Sequence, residues 1–538
     1  MIKKIKISGY RIYKQLILEP NPKLNLIVGG NEVGKSTLME AIALALTGRI
    51  NGKGANDELN PYWFNTELVA DFVERRQRGE NIILPEIKIE LFFDNTPELQ
   101  NLCGAINSDH PTNACPGVLF HVLPNSEYNE EIEQWLISPT KILPVEFYRI
   151  EWRSFADEKL LNRPRQLTTA IIDSKTVRSS TSIDYHLRQI INDHLAPIER
   201  AKISLSYRQV KASMAGGVLG DINERISKLN ASLHDKTIIL DMDQSSRTSW
   251  EGVVSPHVNE VPFSMSGQGQ QAAIKISLSM GRHAEKTKFV MIEEPENHLS
   301  HTSLSTLLSR IEKLSSTSQQ LFITTHSTFV LNRLGLDSLI LIGNESVSRI
   351  NGLSPDTVSY FQKLPGYDTL RMVLAKRVVL VEGPSDEIIF ERFFKDTYQL
   401  RPMEVGIDVI SMRGLSLAKC LELCAALDRP VASLRDNDGI SPEDLALPVQ
   451  GWLKKNRREL FIGSVVTGTT LEPQLIHHNG EKLLREVLNI EDRADLLTWM
   501  SREKTEGALR ISVSKKALTP PKYMSDADLP PRLDTTLS

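Results

Sequence analysis

The sequence predicts an α/β chain built as two successive strand–helix units, and three observations carry that expectation. An apolar strand, LNLIVGG, runs through a Gly-rich turn into the helical stretch Thr37 to Thr47. Strand and helix alternate again between Phe289 and about residue 345, and a further alternation begins at Val378. Strands alternating with helices need crossover connections, so they argue for parallel sheets.

The first unit opens on MIKKIKISGYRIY, which alternates like a strand, followed by the LNLIVGG strand and its helix. Glu86 to Phe93 (EIKIELFF) alternates as a further strand, and short β-like pieces continue to about Trp152, so residues 1–181 are expected to form one lobe. From Ser182 to Leu233, Ile183, Leu187, Ile190, Ile191, His194 and Leu195, then Ile222, Ile226 and Leu229, recur at helical spacing. This insert, assigned to 182–236, is broken by Pro197 and by Gly216-Gly217, and it lacks the sustained heptads of a long coiled-coil arm. A dimerisation element and an ordinary packed helix pair both fit it. Residues 237–345 return to strands and helices and complete a domain split around the insert. The polar stretch 346–376, with Gly352, Pro355, Pro365 and Gly366, reads as a linker.

The second unit, 377–518, alternates strand Val378 to Val381, helix Glu387 to Phe394, strand Asp408 to Met412, helix Leu415 to Leu427, strand Val431 to Leu434 and strand Leu460 to Val466. Pro520, Pro521, Pro530 and Pro531 mark 519–538 as a flexible tail.

Composition excludes more than it names. The 538 residues carry 63 Lys and Arg against 67 Asp and Glu, a net charge of −4, and 41% are hydrophobic, which rules out a polycation, an acidic disordered chain and a collagen-like fibre. No stretch approaches the roughly 18 uncharged apolar residues that a membrane span needs, so a cytoplasmic protein without membrane contact is expected. Four cysteines in so long a chain make no disulfide framework: Cys420 and Cys424 sit in an apolar helical run, and Cys103 and Cys115 around His110 lack a fourth zinc ligand.

Gly29-Gly30-Asn31-Glu32-Val33-Gly34-Lys35-Ser36 fits G-x-x-x-x-G-K-[ST] between a strand and a helix. In that context glycines let backbone N–H groups and a helix N-terminus surround phosphate oxygens. Gly29, Asn31, Gly34 and Thr37 are placed to line the phosphates of ATP, Lys35 to reach the β- and γ-phosphates, and Ser36 to hold Mg²⁺. Much later, Phe289 to Ile292 is a buried-strand pattern ending in Glu293-Glu294, whose carboxylates suit a Mg²⁺ shell and the polarisation of attacking water. Ser266-Gly267-Gln268 precedes a helix upstream of it, and Leu321 to Thr325 ends at His326 downstream, where a γ-phosphate could be sensed.

This order resembles the ATP-binding-cassette family in its soluble branch, beside DNA-repair and chromosome ATPases. The resemblance implies two heads that sandwich two ATP molecules, with Ser266, Gly267 and Gln268 serving the partner's nucleotide, and hence a homodimer or a higher even oligomer. Glu293 stands where such ATPases commonly carry Asp.

In the second unit Val378-Val379-Leu380-Val381-Glu382-Gly383-Pro384-Ser385-Asp386 puts one carboxylate at a strand end and another at a helix start. The strand Val431 to Leu434 ends in Arg435-Asp436-Asn437-Asp438-Gly439. Strand ends of one parallel sheet, and the turns after them, face a common crevice, so Glu382, Asp436 and Asp438 could converge there. Bare anions so close repel severely without a cation, and hard oxygen ligands imply Mg²⁺ or Mn²⁺. Thr470-Leu471-Glu472-Pro473 offers another ligand in Glu472, and Lys504 could neutralise charge in a transition state.

The spacing of E-G-x-x-D and D-x-D-G resembles a Toprim domain from about Ala375 to Leu475. A cassette ATPase ahead of a Toprim domain resembles the overcoming-lysogenization-defect (OLD) family, in which GGNEVGKST, SGQGQQ, IEEPE, TTHS, VEGPSD, RDNDG and TLEP appear in the same order. That resemblance implies an ATP-binding DNA endonuclease or nickase of anti-phage defence, using two metal ions at Glu382, Asp386, Asp436, Asp438 and Glu472, besides the ion held with ATP at Ser36 and Glu293. It also implies a possible defence partner, either a helicase as in Gabija or a reverse transcriptase with its RNA and DNA as in retrons. Glu294, His326 and Lys504 are then the candidate catalytic side chains. Lys454, Lys455, Arg457 and Arg458 form a basic cluster that either contacts DNA backbone or simply solvates a face. An ATP-dependent DNA-binding switch with an inactive Toprim domain is the competing expectation; a topoisomerase or primase lacks its separate cleavage or zinc module here.

Overall fold

The computed structural model describes residues 1–527 apart from 51–52, 81, 110–113, 138, 141, 174–194, 231–239, 243–249, 251–256, 268, 272, 275–287, 298, 315–318, 344–346, 350–352, 364–368 and 492–493. The chain divides into two compact units, one mainly Met1–Ile27 with Asn31–Thr325, the other mainly His326–Gly343 with Ser348–Ser538. No helix among the described residues is long and apolar enough to cross a membrane.

Among the described residues the first unit holds two large sheets and two short two-stranded pairings. Ile2–Tyr10 pairs antiparallel with both Tyr13–Leu18 and Ile87–Phe93, and the sheet continues through Cys115–Pro124 to Tyr148–Ser154. From Ile5 onward the alternation is used as the pleat requires, with Ile5 and Ile7 buried, and Ile2 is buried as well because the register against Ile87–Phe93 shifts between Ile2 and Lys4. The other sheet sets Thr169–Asp173, Phe289–Glu293, Gln320–Thr324 and Leu24–Gly29 side by side in parallel. These strands are continuously apolar because both faces of a parallel sheet are covered, and Val290, Ile292, Leu321 and Ile323 are fully buried.

Of the expected insert, Pro197–Gly216 and Val218–Asn230 are helices. The part from Ser182 to His194 lies outside the described residues. Pro197 starts a helix here, since a first helical position needs no N–H donor.

The second unit carries a parallel sheet in the order Ile407–Ser411, Arg377–Val381, Val431–Arg435, Arg458–Ile462. Helices Pro384–Tyr398, Leu471–Asn479 and Lys504–Val513 pack on one face, where Val379, Val381, Ala432 and Leu434 meet Ile389, Phe390, Leu475 and Ile511. Cys420 and Cys424 are buried in helix Leu417–Ala426, and burial pushes the Cys424 thiol up to about 12, so they act as small core hydrophobes; all four cysteines are free.

Three expectations fail in this unit: the stretch read as a linker, 346–376, holds helices Pro355–Gln362 and Thr369–Leu374, whose Phe361, Met372 and Val373 are buried. The strand expected to reach Val466 stops at Ile462, because Gly463 is packed against the Gln474 amide with no room for a Cβ and the chain turns there. Of the segment read as a tail, 519–538, the part Lys522–Asp526 is a helix with Tyr523 and Met524 buried in the same core, and 528–538 lies outside the described residues. Pro521 stands at the N-cap of this helix, while Pro530 and Pro531 lie outside the described residues.

Candidate functional site

The strand Leu24–Gly29 leads through the turn into helix Lys35–Thr47, and Gly34 at its N-cap sits at φ 99°. A Cβ at Gly34 would lie 2.8 Å from both Ile12 and the Tyr13 hydroxyl oxygen, so the turn is fitted to glycine in conformation and in space. Tyr13 donates its hydroxyl to the Gly34 carbonyl at 2.8 Å. One turn further along the helix, Arg11 pairs with Glu40 at 2.7 Å, and Tyr10 donates to the same carboxylate; burial pushes Glu40 up from the ordinary carboxylate range. Beside Ile12 lies an open cleft of about 520 Å³ lined by Arg11, Asn60, Tyr62 and Trp63. Neither Glu40 nor this cleft carries a local sequence signal.

Ser36 donates to the Glu293 carboxylate at 3.0 Å, joining two motifs 257 residues apart. Glu294 follows at φ 43°, a left-handed conformation rare outside glycine, its N–H held by the Thr324 carbonyl at 3.0 Å and its carboxylate by the Asn297 amide at 2.6 Å. Thr325 donates to Glu296 at 2.8 Å, tying the end of the TTHS strand to the acidic turn. Ser266 and Gly267 precede a helical start at Gly269, with the Gln271 amide on the Ser266 carbonyl at 2.8 Å. Gln268 lies outside the described residues. Lys35 is buried, and His326 is half-buried.

In the second unit the carboxylates stand at the C-terminal ends of the two central strands. Glu382 follows Arg377–Val381, and Asp436 follows Val431–Arg435. Asp386, on the first turn of helix Pro384–Tyr398, accepts from the Gly383 N–H at 2.9 Å. Burial first, then the charge of Glu472, pushes Asp386 up to about 6. Asp436 is pushed up to about 8 by burial and then by Asp386, Glu382 and Glu472. Burial, Asp386 and Asp438 also raise Glu382, which Arg435 approaches at 3.6 Å. Asp438 is exposed at φ 49°, its N–H on the Thr469 carbonyl.

Glu472 is buried, accepts from Thr470 at 2.8 Å and pairs with Lys504 at 3.3 Å. Burial opposes the Lys504 charge, but Glu472, Asp436 and Asp386 outweigh it and hold the ammonium pKa above its ordinary value.

One observation tests whether these residues suit a cation. Asp436 spends one oxygen on the Leu471 N–H at 3.3 Å; its other oxygen is buried with no hydrogen-bond partner. A buried carboxylate oxygen without a donor, among other carboxylates that raise its pKa, fits a place where positive charge is required. Among the described residues no three acidic, His or Cys side chains stand already in coordinating geometry, since Asp386 and Glu472 turn to local donors.

Asn437, between the two aspartates, was legible only as a turn residue. It is fully buried and donates to the carbonyls of Gly463 at 2.9 Å and Gly468 at 2.7 Å. The Tyr523 hydroxyl is likewise buried, without a partner, and raised well above its ordinary range by burial and by the same carboxylates. In the basic cluster, Arg457 and Arg458 each hold Asp428 at 2.9 Å, while Lys454 and Lys455 are exposed.

A family model described as an AAA ATPase domain matches residues 1–331, and one described as an overcoming lysogenization defect protein-like TOPRIM domain matches 373–438. The endonuclease GajA of Bacillus cereus is 25% identical over 229 residues, covering 35% of this chain and 39% of the relative. The DNA replication and repair protein RecF of Clostridium tetani is 25% identical over 111 residues, 20% of this chain and 30% of the relative. The chain thus spans about a third of the length of these curated relatives. Among solved structures, the C-terminal region of the Burkholderia pseudomallei OLD protein matches at 19% identity and TM-score 0.25, over 29% of this chain and 95% of that one. A RecF–ATP structure matches at 12% and 0.32, over 65% and 99%.

Proposed function

The chain belongs to the AAA ATPase domain family, with an OLD-like Toprim domain behind the ATPase as in the OLD family, and from that premise we propose that it is an ATP-binding, divalent-cation-dependent DNA endonuclease or nickase. The observation that carries the reading is the buried, partnerless oxygen of Asp436 among Glu382, Asp386 and Glu472. Those four residues with Asp438 would hold the cations, Mg²⁺ or Mn²⁺ by the hardness of their oxygens. Bound there, the cations supply charge compensation and polarise a phosphodiester. Lys504, oriented by Glu472, presents an ammonium that stays protonated near neutral pH and can meet charge developing on phosphate.

In the ATPase, Lys35 would reach the phosphates, Ser36 and Glu293 would share the Mg²⁺, and the cleft at Arg11 and Tyr62 would take base and ribose. Glu294, held by Asn297, would orient water; His326 would sense the γ-phosphate; Ser266, Gly267 and Gln268 would serve a second head. Nucleotide state then gates cleavage through a homodimer, in anti-phage defence as a stand-alone nuclease or beside a helicase or a reverse transcriptase.

The test incubates supercoiled plasmid with the full chain, ATP and Mg²⁺ or Mn²⁺. Nicked or linear product from the parent, lost in Glu382→Ala and Asp436→Ala, supports the assignment. Equal cutting by both variants overturns it.

A further inference from the structure

The residues at the broken end of the sheet's edge strand are unusual for a turn. Ser464 to Thr467 closes a tight turn, with the Thr467 N–H on the Ser464 carbonyl at 3.1 Å. Such corners favour Gly, Asn, Asp or Pro, yet this one displays Val465, 45% exposed, and Val466, 92% exposed. Ile440, just past the Asp436–Asp438 turn, is 46% exposed as well.

The apolar tip is rigidly mounted. Asn437 holds the carbonyls of Gly463 and Gly468 at either side of it, the Gln474 amide reaches the Gly468 carbonyl at 3.3 Å, and Asp438 donates its N–H to Thr469. Gly468, at φ 141°, has no room for a Cβ against Pro473. The tip is therefore fastened to the very turn that carries Asp436 and Asp438.

Sheet order sets what lies across from it. The tip follows the edge strand Arg458–Ile462, the carboxylates follow the two central strands, and exposed Arg413 follows the opposite edge strand Ile407–Ser411. Arg413 stands in a left-handed turn, φ 47°, with its N–H on the Glu382 carbonyl at 3.0 Å. Three strand spacings of about 4.8 Å separate the edges, roughly 14 Å, which spans about four base pairs at 3.4 Å each. A cation for phosphate at one end, carboxylates in the middle and rigid β-branched side chains at the other describe a track for one nucleic-acid strand, with its apolar element at base level.

Resting on the nuclease reading above, we propose that Val465 and Val466 form a wedge that inserts beside a base and opens a base step next to the phosphodiester held over the carboxylates, so that the enzyme prefers duplex DNA at sites that unstack readily. Apolar side chains inserted between base steps unstack and kink duplexes in this way.

The test uses the full chain and a double variant, Val465→Ser with Val466→Ser, whose exposed positions leave the melting temperature as a check on folding. Two duplexes differ only in one mismatched step, and a third carries 2-aminopurine, whose fluorescence rises on unstacking whether or not the strand is cut. The parent is expected to raise the fluorescence and the double variant to leave it low. Cleavage of the paired duplex should fall about tenfold in the variant, and that of the mismatched duplex less than about twofold. Arg413→Ala should weaken binding to both duplexes alike, as loss of a phosphate contact does. The wedge is overturned by a parent that leaves 2-aminopurine quenched, by equal fluorescence from parent and variant, or by a variant that cuts both duplexes like the parent, the result expected if the tip docks a protein. A parent that unstacks DNA but cuts neither duplex refutes the nuclease reading and leaves the wedge standing.

Discussion

Replacing Asp436 by Asn is expected to stabilise the cation-free chain and to remove its response to divalent cations. Asp436 is 8% exposed, and burial followed by Asp386, Glu382 and Glu472 pushes its pKa from 3.8 to about 8. The folded value lies above the unfolded one, so between those two pH values the folded chain keeps a proton that the unfolded chain releases. Stability is therefore lost as pH rises through that window. At about 1.4 kcal/mol per pH unit, the whole interval has an upper bound of ~6 kcal/mol, and relaxation with water entry around coupled carboxylates lowers it to ~2 kcal/mol. For a unit of this size that corresponds to roughly 4–8 °C in melting temperature. Asn keeps an acceptor for the Leu471 N–H and removes the anion.

Thermal unfolding of parent and variant at pH 5 and pH 8, with EDTA or with Mg²⁺, reads the effect. The variant should melt higher at pH 8 in EDTA, the gap should shrink at pH 5, and Mg²⁺ should raise only the parent. A variant that melts at or below the parent at pH 8 in EDTA, or an equal Mg²⁺ response in both, refutes the reasoning.

Four further outcomes follow from the same geometry. Gly34→Ala should cut ATP binding by tenfold or more in equilibrium dialysis, because a Cβ there meets Ile12 and Tyr13 in a left-handed turn; unchanged affinity contradicts this. Lys504→Met should lower the cleavage rate by about 10²–10³ while plasmid binding persists, and an unchanged rate would remove the ammonium from the chemistry. Asn437→Ala frees two backbone acceptors and should cost about 2–3 kcal/mol, with faster hydrogen exchange across 463–470 as its local signature. Tyr523→Phe removes a buried hydroxyl without a partner and should raise stability by ~1 kcal/mol; a loss instead would mean the phenol is bonded through water.

What was legible in the sequence is what folds locally. The Gly-rich turn, the strand ends at Glu293, Glu382 and Asp436, and the strand–helix rhythm all follow from residues near one another in the chain. The meeting of Ser36 with Glu293, 257 residues apart, was expected only through the family resemblance, and that of Glu472 with Lys504, 32 residues apart, follows from no spacing rule. Val465 and Val466 misled because β-branched pairs favour strands, while the packing of Gly463 on the Gln474 amide and the bonds from the distant Asn437 to the Gly463 and Gly468 carbonyls turn the chain before them. Tyr523 was lost behind prolines that read equally well as disorder or as the start of a helix.

The tie made by Asn437 has a consequence for engineering and for divergence. Residues 436–440 and 463–470 share bonds that neither can satisfy alone, so they behave as one exchangeable cassette. Grafting either loop onto another sheet of this kind should fail where grafting both succeeds, and lengths in the two loops should change together or not at all.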